Sequence, residues 1–142
     1  MLVDANILLY SVDRDSPFHN RALAWLTSAL NGPRRVGIPW TSLVAFVRIA
    51  TNPRATASPL APEDAWNTVS SWLDAPACWI PGPGRGHRDI LGHLLGTHDV
   101  RAGLVTDAVH VALCVEHGLE MASADSDFAR FPEIRWFNPL LG

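Results

Sequence analysis

Short apolar runs recur along the chain and alternate with longer segments whose apolar residues are spaced as on one face of a helix. The short runs lie at residues 1–3, 36–38, 78–80 and 119–122, and residues 134–137 can supply a fifth. Continuous apolar runs of this kind are typical of strands that are buried on both faces of a parallel sheet. The alternation predicts an α/β fold in three layers, α/β/α, with a mostly parallel central sheet of four to five strands.

Helical spacing fills the intervals between these strands. It predicts helices over residues 17–30, 41–51, 62–73, 88–95 and 106–116. Ser16 is placed to cap the first of these helices, with Pro17 at its first position, and Thr106 is placed to cap the last. Residues 53–62 are rich in Pro, Ala, Ser and Thr, and this composition predicts an exposed connection.

The length of 142 residues suits one compact domain, so we expect residues 1–142 to form a single unit. The N-terminus has no basic region ahead of an apolar stretch, and the apolar run 7–10 is too short to span a bilayer. We therefore expect a soluble, cytoplasmic protein without a membrane partner. Cys78 and Cys114 lack the spacing and the neighbouring histidines of a zinc site, so we expect free, buried thiols in a reducing compartment.

Charge narrows the classes of function. The formal net charge of -3 shows none of the basic excess that usually indicates a nucleic-acid partner. Apart from histidine, every basic side chain is arginine, because the sequence contains no lysine. Aspartyl-phosphate phosphatases and receiver domains also place an aspartate after the first strand, but they normally need a lysine, and here Asn6 stands where an acid would follow Asp4. The missing lysine excludes a Walker-type nucleotide site as well.

Aspartates follow the predicted strands. Asp4 ends the first strand, Asp125 and Asp127 follow the fourth, and Asp107 lies in the first turn of a helix that begins near the same edge. Since the carboxyl ends of parallel strands meet at one edge, we expect these acids to converge there. Asp107 and Asp125 also have structural interpretations, as a helix first-turn acid and an N-cap. The position of Asp4 favours a functional interpretation, because the residue lies between apolar segments, where an unpaired carboxylate is costly.

Clustered carboxylates repel one another, and a divalent cation is what best stabilises such a cluster. Oxygen ligands without cysteine favour Mg²⁺ or Mn²⁺. A cation of this kind can lower the pKa of a bound water and polarise a phosphoryl oxygen. The predicted reaction class is therefore metal-assisted hydrolysis of a phosphodiester.

Three segments together resemble the PIN-domain ribonucleases, and in particular the VapC-type toxins of bacterial toxin–antitoxin pairs. VDAN at residues 3–6 resembles the family's opening strand with its Asp-x-Asn motif. TDA at residues 106–108, followed by EHG at 116–118, resembles its metal-binding helix, and SADSDF at 123–128 resembles its final acidic motif. The resemblance extends over essentially the whole chain and implies a PIN-like three-layer fold.

The catalytic residues that the resemblance implies are Asp4, Asn6, Asp107, Asp125 and Asp127. Among them, Asp4, Asp107 and Asp125 are expected to bind the metal, Mg²⁺ or else Mn²⁺. Asn6 is expected to support Asp4, while Ser123 and Asp127 are expected to orient side chains or water.

The chain departs from the family in its second predicted helix. Relatives usually supply a glutamate there, but residues 44–48 read VAFVR, with Ala45 or Phe46 at the matching place. The loss should weaken metal affinity, or leave one ion where others hold two. We expect a Mg²⁺-dependent endoribonuclease, the toxin of a toxin–antitoxin pair. The alternative is a catalytically weak or silent PIN-like module that binds RNA or an antitoxin without cutting, and DNA is a third option as substrate.

The resemblance further implies a homodimer, a cognate antitoxin with a segment that blocks the acidic groove, and a structured RNA substrate such as transfer or ribosomal RNA. Arg48 and Ser123 are the candidates for contact with RNA or antitoxin, although exposed arginines are commonly just solvated. His110 lies one turn after Asp107 and can reach the metal site. We expect it to be packed or facing solvent rather than a ligand.

Overall fold

The computed structural model describes residues 1–141 and confirms the α/β fold. The strands are β1 (Leu2–Val3), β2 (Val36–Gly37), β3 (Cys78–Trp79), β4 (Met121–Ala122) and β5 (Trp136–Phe137). They form one sheet in the order β3-β2-β1-β4-β5, and every neighbouring pair is parallel. The strand order puts β1 in the centre with β4 beside it, so the acids that follow these two strands begin at adjacent points of one edge.

The α-helices are α1 (Ala5–Val12), α2 (His19–Leu30), α3 (Trp40–Ala50), α4 (Pro62–Leu73), α5 (His87–Thr97) and α6 (Leu104–His117). A short 3-10 helix, Ser126–Arg130, follows β4. Helix α1 was not predicted from the sequence, because its eight residues are too few for a clear helical period. Its start is set by Asp4, whose carboxylate accepts a hydrogen bond from the Ala5 N–H.

The predicted caps of two helices are wrong. Helix α2 begins at His19 with Phe18 as N-cap, and the Ser16 hydroxyl instead accepts a hydrogen bond from the Phe18 N–H in the turn before the helix. Helix α6 begins at Leu104, so Thr106 lies within its first turn and is not its cap. Asp107 remains near the N-terminus of α6, where the helix dipole favours an acid.

The core lies on both faces of the sheet, because successive strand residues point to opposite sides. Leu2 and Met121 pack on one face with residues of α5 and α6. Val3, Val36 and Ile38 pack on the other face with residues of α1 to α4. The sheet is thus covered by helices on both sides, as expected for three layers.

The two cysteines are free thiols, Cys114 buried and Cys78 partly buried. Burial raises the pKa of Cys78 to about 11 and that of Cys114 to about 12, so both are protonated at neutral pH.

Within residues 1–141, none of the helices combines the length and the apolar character that a membrane span requires.

Candidate metal centre

Asp4 is held in one orientation at the end of β1. One carboxylate oxygen, Oδ1, accepts a hydrogen bond from the Ala5 N–H at 2.8 Å. The other, Oδ2, accepts from the Ser123 hydroxyl at 2.7 Å and from the Asn6 Nδ2 at 3.4 Å. Its side chain is only 14% exposed, and these donors compensate for the removal of the charge from water.

Ser123 and Asn6 connect this carboxylate to the loop after β4. Besides donating to Asp4, the Ser123 hydroxyl accepts hydrogen bonds from the Asn6 Nδ2 at 3.1 Å and from the Asp125 N–H at 3.0 Å. The Asn6 Oδ1 accepts from the Ala124 N–H at 3.2 Å. Ser123 is completely buried, which puts it among the residues that orient the site and not on a surface that RNA or a partner protein can touch.

Asp107, Asp125 and Asp127 approach one another at the same edge. Each of them offers a carboxylate oxygen, and these oxygens all lie within 4.8 Å of one another. Asp125 caps the 3-10 helix by accepting a hydrogen bond from the Asp127 N–H at 2.9 Å, so its structural role and its place in the group coexist. Within the part of the chain that the structure describes, Asp4 is not one of this group of three.

The charge of Asp4 nevertheless acts on the group. Burial raises the pKa of Asp107 to about 7, and the carboxylates of Asp125, Asp4 and Asp127 add to the rise, in that order. An acid at the N-terminus of a helix would ordinarily have a lowered pKa, so burial, together with the neighbouring negative charges, outweighs the helix dipole here. The crowded carboxylates of this site resist ionisation, and all the ligand atoms that they offer are oxygens. Such a site fits a hard divalent cation such as Mg²⁺ or Mn²⁺.

His110 faces Asp4 from the interior. It is 2% exposed, and its Nε2 lies 2.7 Å from the Thr41 hydroxyl of α3. Its Nδ1 has no hydrogen-bond partner within residues 1–141 and lies 3.8 Å from the Asp4 Oδ1. Burial lowers the pKa of His110, against the opposing effect of the Asp4 charge, so the imidazole is neutral at pH 7. The sequence did not indicate Thr41, because its contact with His110 depends on how α3 packs against α6.

Helix α3 brings no acid to this edge. Phe46 is completely buried and packs against Trp72, with ring centroids 4.7 Å apart, so it belongs to the core. Ala45 follows Thr41 by four residues and shares its face of the helix, which makes it the position from which a longer side chain would reach the acids. Arg48 is exposed in the last turn of α3, at roughly 10 Å along the helix from Thr41.

Comparison with known proteins yields consistent relatives. The family model of the PIN domain matches residues 1–134. The chain is 45% identical to Ribonuclease VapC37 of Mycobacterium tuberculosis over 138 residues, which cover 97% of this chain and 96% of that protein. It is 39% identical to Ribonuclease VapC33 of the same organism over 140 residues, covering 99% and 98% of the two chains.

Two solved structures share the fold at low sequence identity. VapBC2 from Rickettsia felis, bound to a DNA fragment from its promoter, matches with a TM-score of 0.67 and 13% identity, covering 96% of each chain. FitAB bound to the IR36 DNA fragment matches with a TM-score of 0.68 and 17% identity, covering 99% of this chain and 95% of that one. At these identities the likeness supports the architecture alone.

Proposed function

Because the chain belongs to the PIN-domain family and, within it, to the VapC group, we propose that it is a divalent-metal-dependent endoribonuclease and the toxin of a toxin–antitoxin pair. The observation that carries the proposal is the meeting of the Asp107, Asp125 and Asp127 oxygens within 4.8 Å of one another. Asp4 is near enough to contribute to the raised pKa of Asp107. Carboxylates crowded in this way at the strand ends of a parallel sheet are a costly arrangement without a cation.

Asp4, Asp107 and Asp125 are the residues that we assign to metal binding, with Asp127 as a further acid beside them. A bound Mg²⁺ or Mn²⁺ supplies charge neutralisation, polarisation of a phosphoryl oxygen and a water of lowered pKa. Phosphodiester hydrolysis is the reaction class that makes use of these effects.

The chain's own residues contribute a preorganised set of ligands. Ser123 and Asn6 donate to Asp4 Oδ2, and the Ala5 N–H donates to Oδ1, so that this carboxylate cannot rotate freely. Asp107 holds a proton for part of the time near neutral pH when the site has no cation, since its pKa is raised to about 7. It gives up that proton when a cation binds, so metal binding should release protons near neutral pH.

A cognate antitoxin and an RNA substrate complete the proposal. The antitoxin enters the proposal through the VapC group, since VapC-type proteins are the toxins of bacterial toxin–antitoxin pairs. A groove of about 610 Å³ between α1, the end of α3 and residues 55–60 offers apolar surface to a partner segment, with Leu9, Tyr10, Ile49 and Leu60 in its lining. A homodimer and a structured RNA as substrate are part of the same proposal, through the family.

A second candidate function follows from the absence of an acid in α3. With no carboxylate at Ala45 or Phe46, the protein can be a weak or silent module that binds RNA or antitoxin without cutting. The two functions differ in one result, namely whether RNA that is bound is also cleaved.

The deciding experiment is a cleavage assay on end-labelled transfer and ribosomal RNA, with Mg²⁺, with Mn²⁺ and with a chelator. Asp107→Asn should slow cleavage by roughly 100-fold, the scale on which loss of one electrostatic element of a catalytic site acts. Asp89→Asn is the matched control, because Asp89 is also a first-turn acid, in α5, and is exposed. It should leave the rate unchanged. RNA binding without metal-dependent cutting would establish the silent module instead.

A further inference from the structure

Helix α3 contributes a hydroxyl, and not a carboxylate, to the surroundings of Asp4. Thr41, in its first turn, is exposed to solvent, yet its side chain reaches the buried imidazole of His110 at 2.7 Å. His110 comes from α6 and lies one turn beyond Asp107. The imidazole therefore joins α3 to the acid site through a single contact on each side.

We propose that Thr41 and His110 are positioning residues that orient Asp4 for cation binding, and that this pair takes the place of the acid that α3 lacks. The inference rests on the proposed function, because it concerns how one of the assigned metal ligands is held. Neither residue is required to touch the cation or the RNA.

The protonation pattern of the imidazole follows from its neighbours. A neutral imidazole carries its proton on one nitrogen and has a lone pair on the other. With the lone pair on Nδ1, two electron-rich groups would face each other at the 3.8 Å that separates Nδ1 from Asp4 Oδ1. With the proton on Nδ1, an N–H faces the carboxylate, and Thr41 donates its hydroxyl proton to Nε2. The charge of Asp4 favours the second arrangement, and the Thr41 hydroxyl, which can donate as well as accept, stabilises it by donating to Nε2.

The burial of the unpartnered nitrogen supports a role in the site. A buried polar atom without a hydrogen-bond partner destabilises the fold, typically by about 1–3 kcal/mol. His110 Nδ1 is such an atom within residues 1–141, and the group that it faces is a carboxylate of the acid site. A small movement of Asp4 toward it would complete a hydrogen bond. An apolar side chain at residue 110 would fill the same space without this cost, so packing alone does not explain the histidine.

The variants are chosen so that the fold survives in at least one pair. Thr41→Val removes the hydroxyl at an exposed position with little change in shape, and Thr41→Ser restores it. At the buried position, His110→Asn keeps an N–H near the place of Nδ1, whereas His110→Leu removes it. Melting temperatures of all the variants without metal show which of them remain folded.

The first measurement is binding of Mn²⁺ alone, followed by the electron paramagnetic resonance signal of the free ion. We expect Thr41→Val to bind about 10-fold more weakly than wild type, as is common when a residue that orients a metal ligand is lost. Thr41→Ser should bind like wild type. His110→Leu should lose more affinity than His110→Asn. Equal affinities for Thr41→Val and Thr41→Ser would overturn the proposal.

The second measurement needs no metal. The ¹⁵N chemical shifts of the imidazole distinguish its tautomers, and wild-type His110 should carry its proton on Nδ1. Thr41→Val should shift it to a mixture of tautomers. A wild-type proton on Nε2 would overturn the proposal whatever the metal results are.

The same experiments separate this inference from the proposed function. Failure of the wild-type protein to bind Mn²⁺ would overturn the proposed function and, with it, the role of the pair. Normal metal binding and cleavage in both Thr41 variants would overturn only the pair. Strong ¹⁴N hyperfine coupling to bound Mn²⁺ would show that His110 is a direct ligand, which also contradicts a positioning role.

Discussion

The Ser123 hydroxyl lies 2.7 Å from Asp4 Oδ2 and joins two residues that are 119 positions apart in the chain. The contact closes the acid site because β1 and β4 are neighbours in the sheet, with Val3 paired to Ala122. One hydroxyl thus aligns the first aspartate with the loop that carries Asp125.

Ser123→Ala should therefore weaken both the site and the fold. The variant removes the donor to Asp4, one of the two acceptors of the Asn6 amide and the acceptor of the Asp125 N–H. We expect a loss of about 1–3 kcal/mol in the free energy of unfolding, and Mn²⁺ affinity roughly 10- to 100-fold lower. Urea unfolding and Mn²⁺ titration measure the two effects. Ser126→Ala, at an exposed position, is the control, and equal behaviour of the two variants would refute this reading of Ser123.

Ala45→Glu should supply the acid that α3 lacks. Residue 45 shares a helix face with Thr41, so a glutamate there can extend toward the acids. We expect tighter Mn²⁺ binding, by about 10-fold, as a further oxygen ligand joins the site, and a smaller effect of Thr41→Val in this background. Val44→Glu adds the same charge one residue away, at a side chain that is 60% exposed. If both substitutions change the affinity equally, the placement of residue 45 is incorrect.

The raised pKa of Asp107 predicts a pH-dependent stability of the metal-free protein. Its pKa is about 7 in the folded state, against an ordinary value of 3.8 for the free side chain, so the folded state retains a proton that the unfolded state loses. Stability from this group is present in full below about pH 4 and is lost as the pH rises to about 7. Wild type and Asp107→Asn should thus be compared by urea unfolding between these limits.

The free energy of unfolding of Asp107→Asn should rise relative to that of wild type as the pH rises through this window, because the variant carries no charge at residue 107. Saturating Mn²⁺ should reverse the order, since only wild type retains the ligand. A constant difference between the two proteins at every pH would contradict the raised pKa of Asp107.

The loop before α5 is held against α6 by hydrogen bonds at Gly84 and Gly86. The Glu116 carboxylate of α6 accepts hydrogen bonds from the Gly84 N–H at 2.8 Å and the Gly86 N–H at 3.0 Å. A Cβ at residue 84 would lie 2.7 Å from Glu116 Oε2, so Gly84→Ala must displace the carboxylate. We expect a melting temperature lower by a few degrees. Gly82→Ala meets nothing within 4 Å and should melt like wild type, so equal melting temperatures for the two variants would contradict this contact.

Several features of the fold were predictable because their signals are local. All the strands were expected near the places where they occur, since short apolar runs between helical segments are visible in the sequence. Helix α1 was missed because its apolar run is short, and because Asp4, which caps it, was interpreted only as a site residue. The start of α6 was set two residues late, since Thr106 is a good capping residue by type.

The candidate site was less predictable than the fold. Asp4, Asp125 and Asp127 follow strands, so the edge on which they lie can be derived from a parallel sheet. The distances among the acids cannot be derived from the sequence. The structure groups Asp127 with Asp107 and Asp125, and Asp4 lies outside that group. The contact between Thr41 and His110 depends on how two helices remote in sequence pack together, which no pattern within either helix encodes.

The most direct test is a crystal structure of the wild-type protein with Mn²⁺, with an anomalous difference map that locates the manganese. We predict an anomalous peak at the sheet edge, with oxygens of Asp4, Asp107 and Asp125 at about 2.0–2.3 Å from it. A map that has no peak there at a Mn²⁺ concentration that supports RNA cleavage, or whose peak lies among other residues, would contradict it.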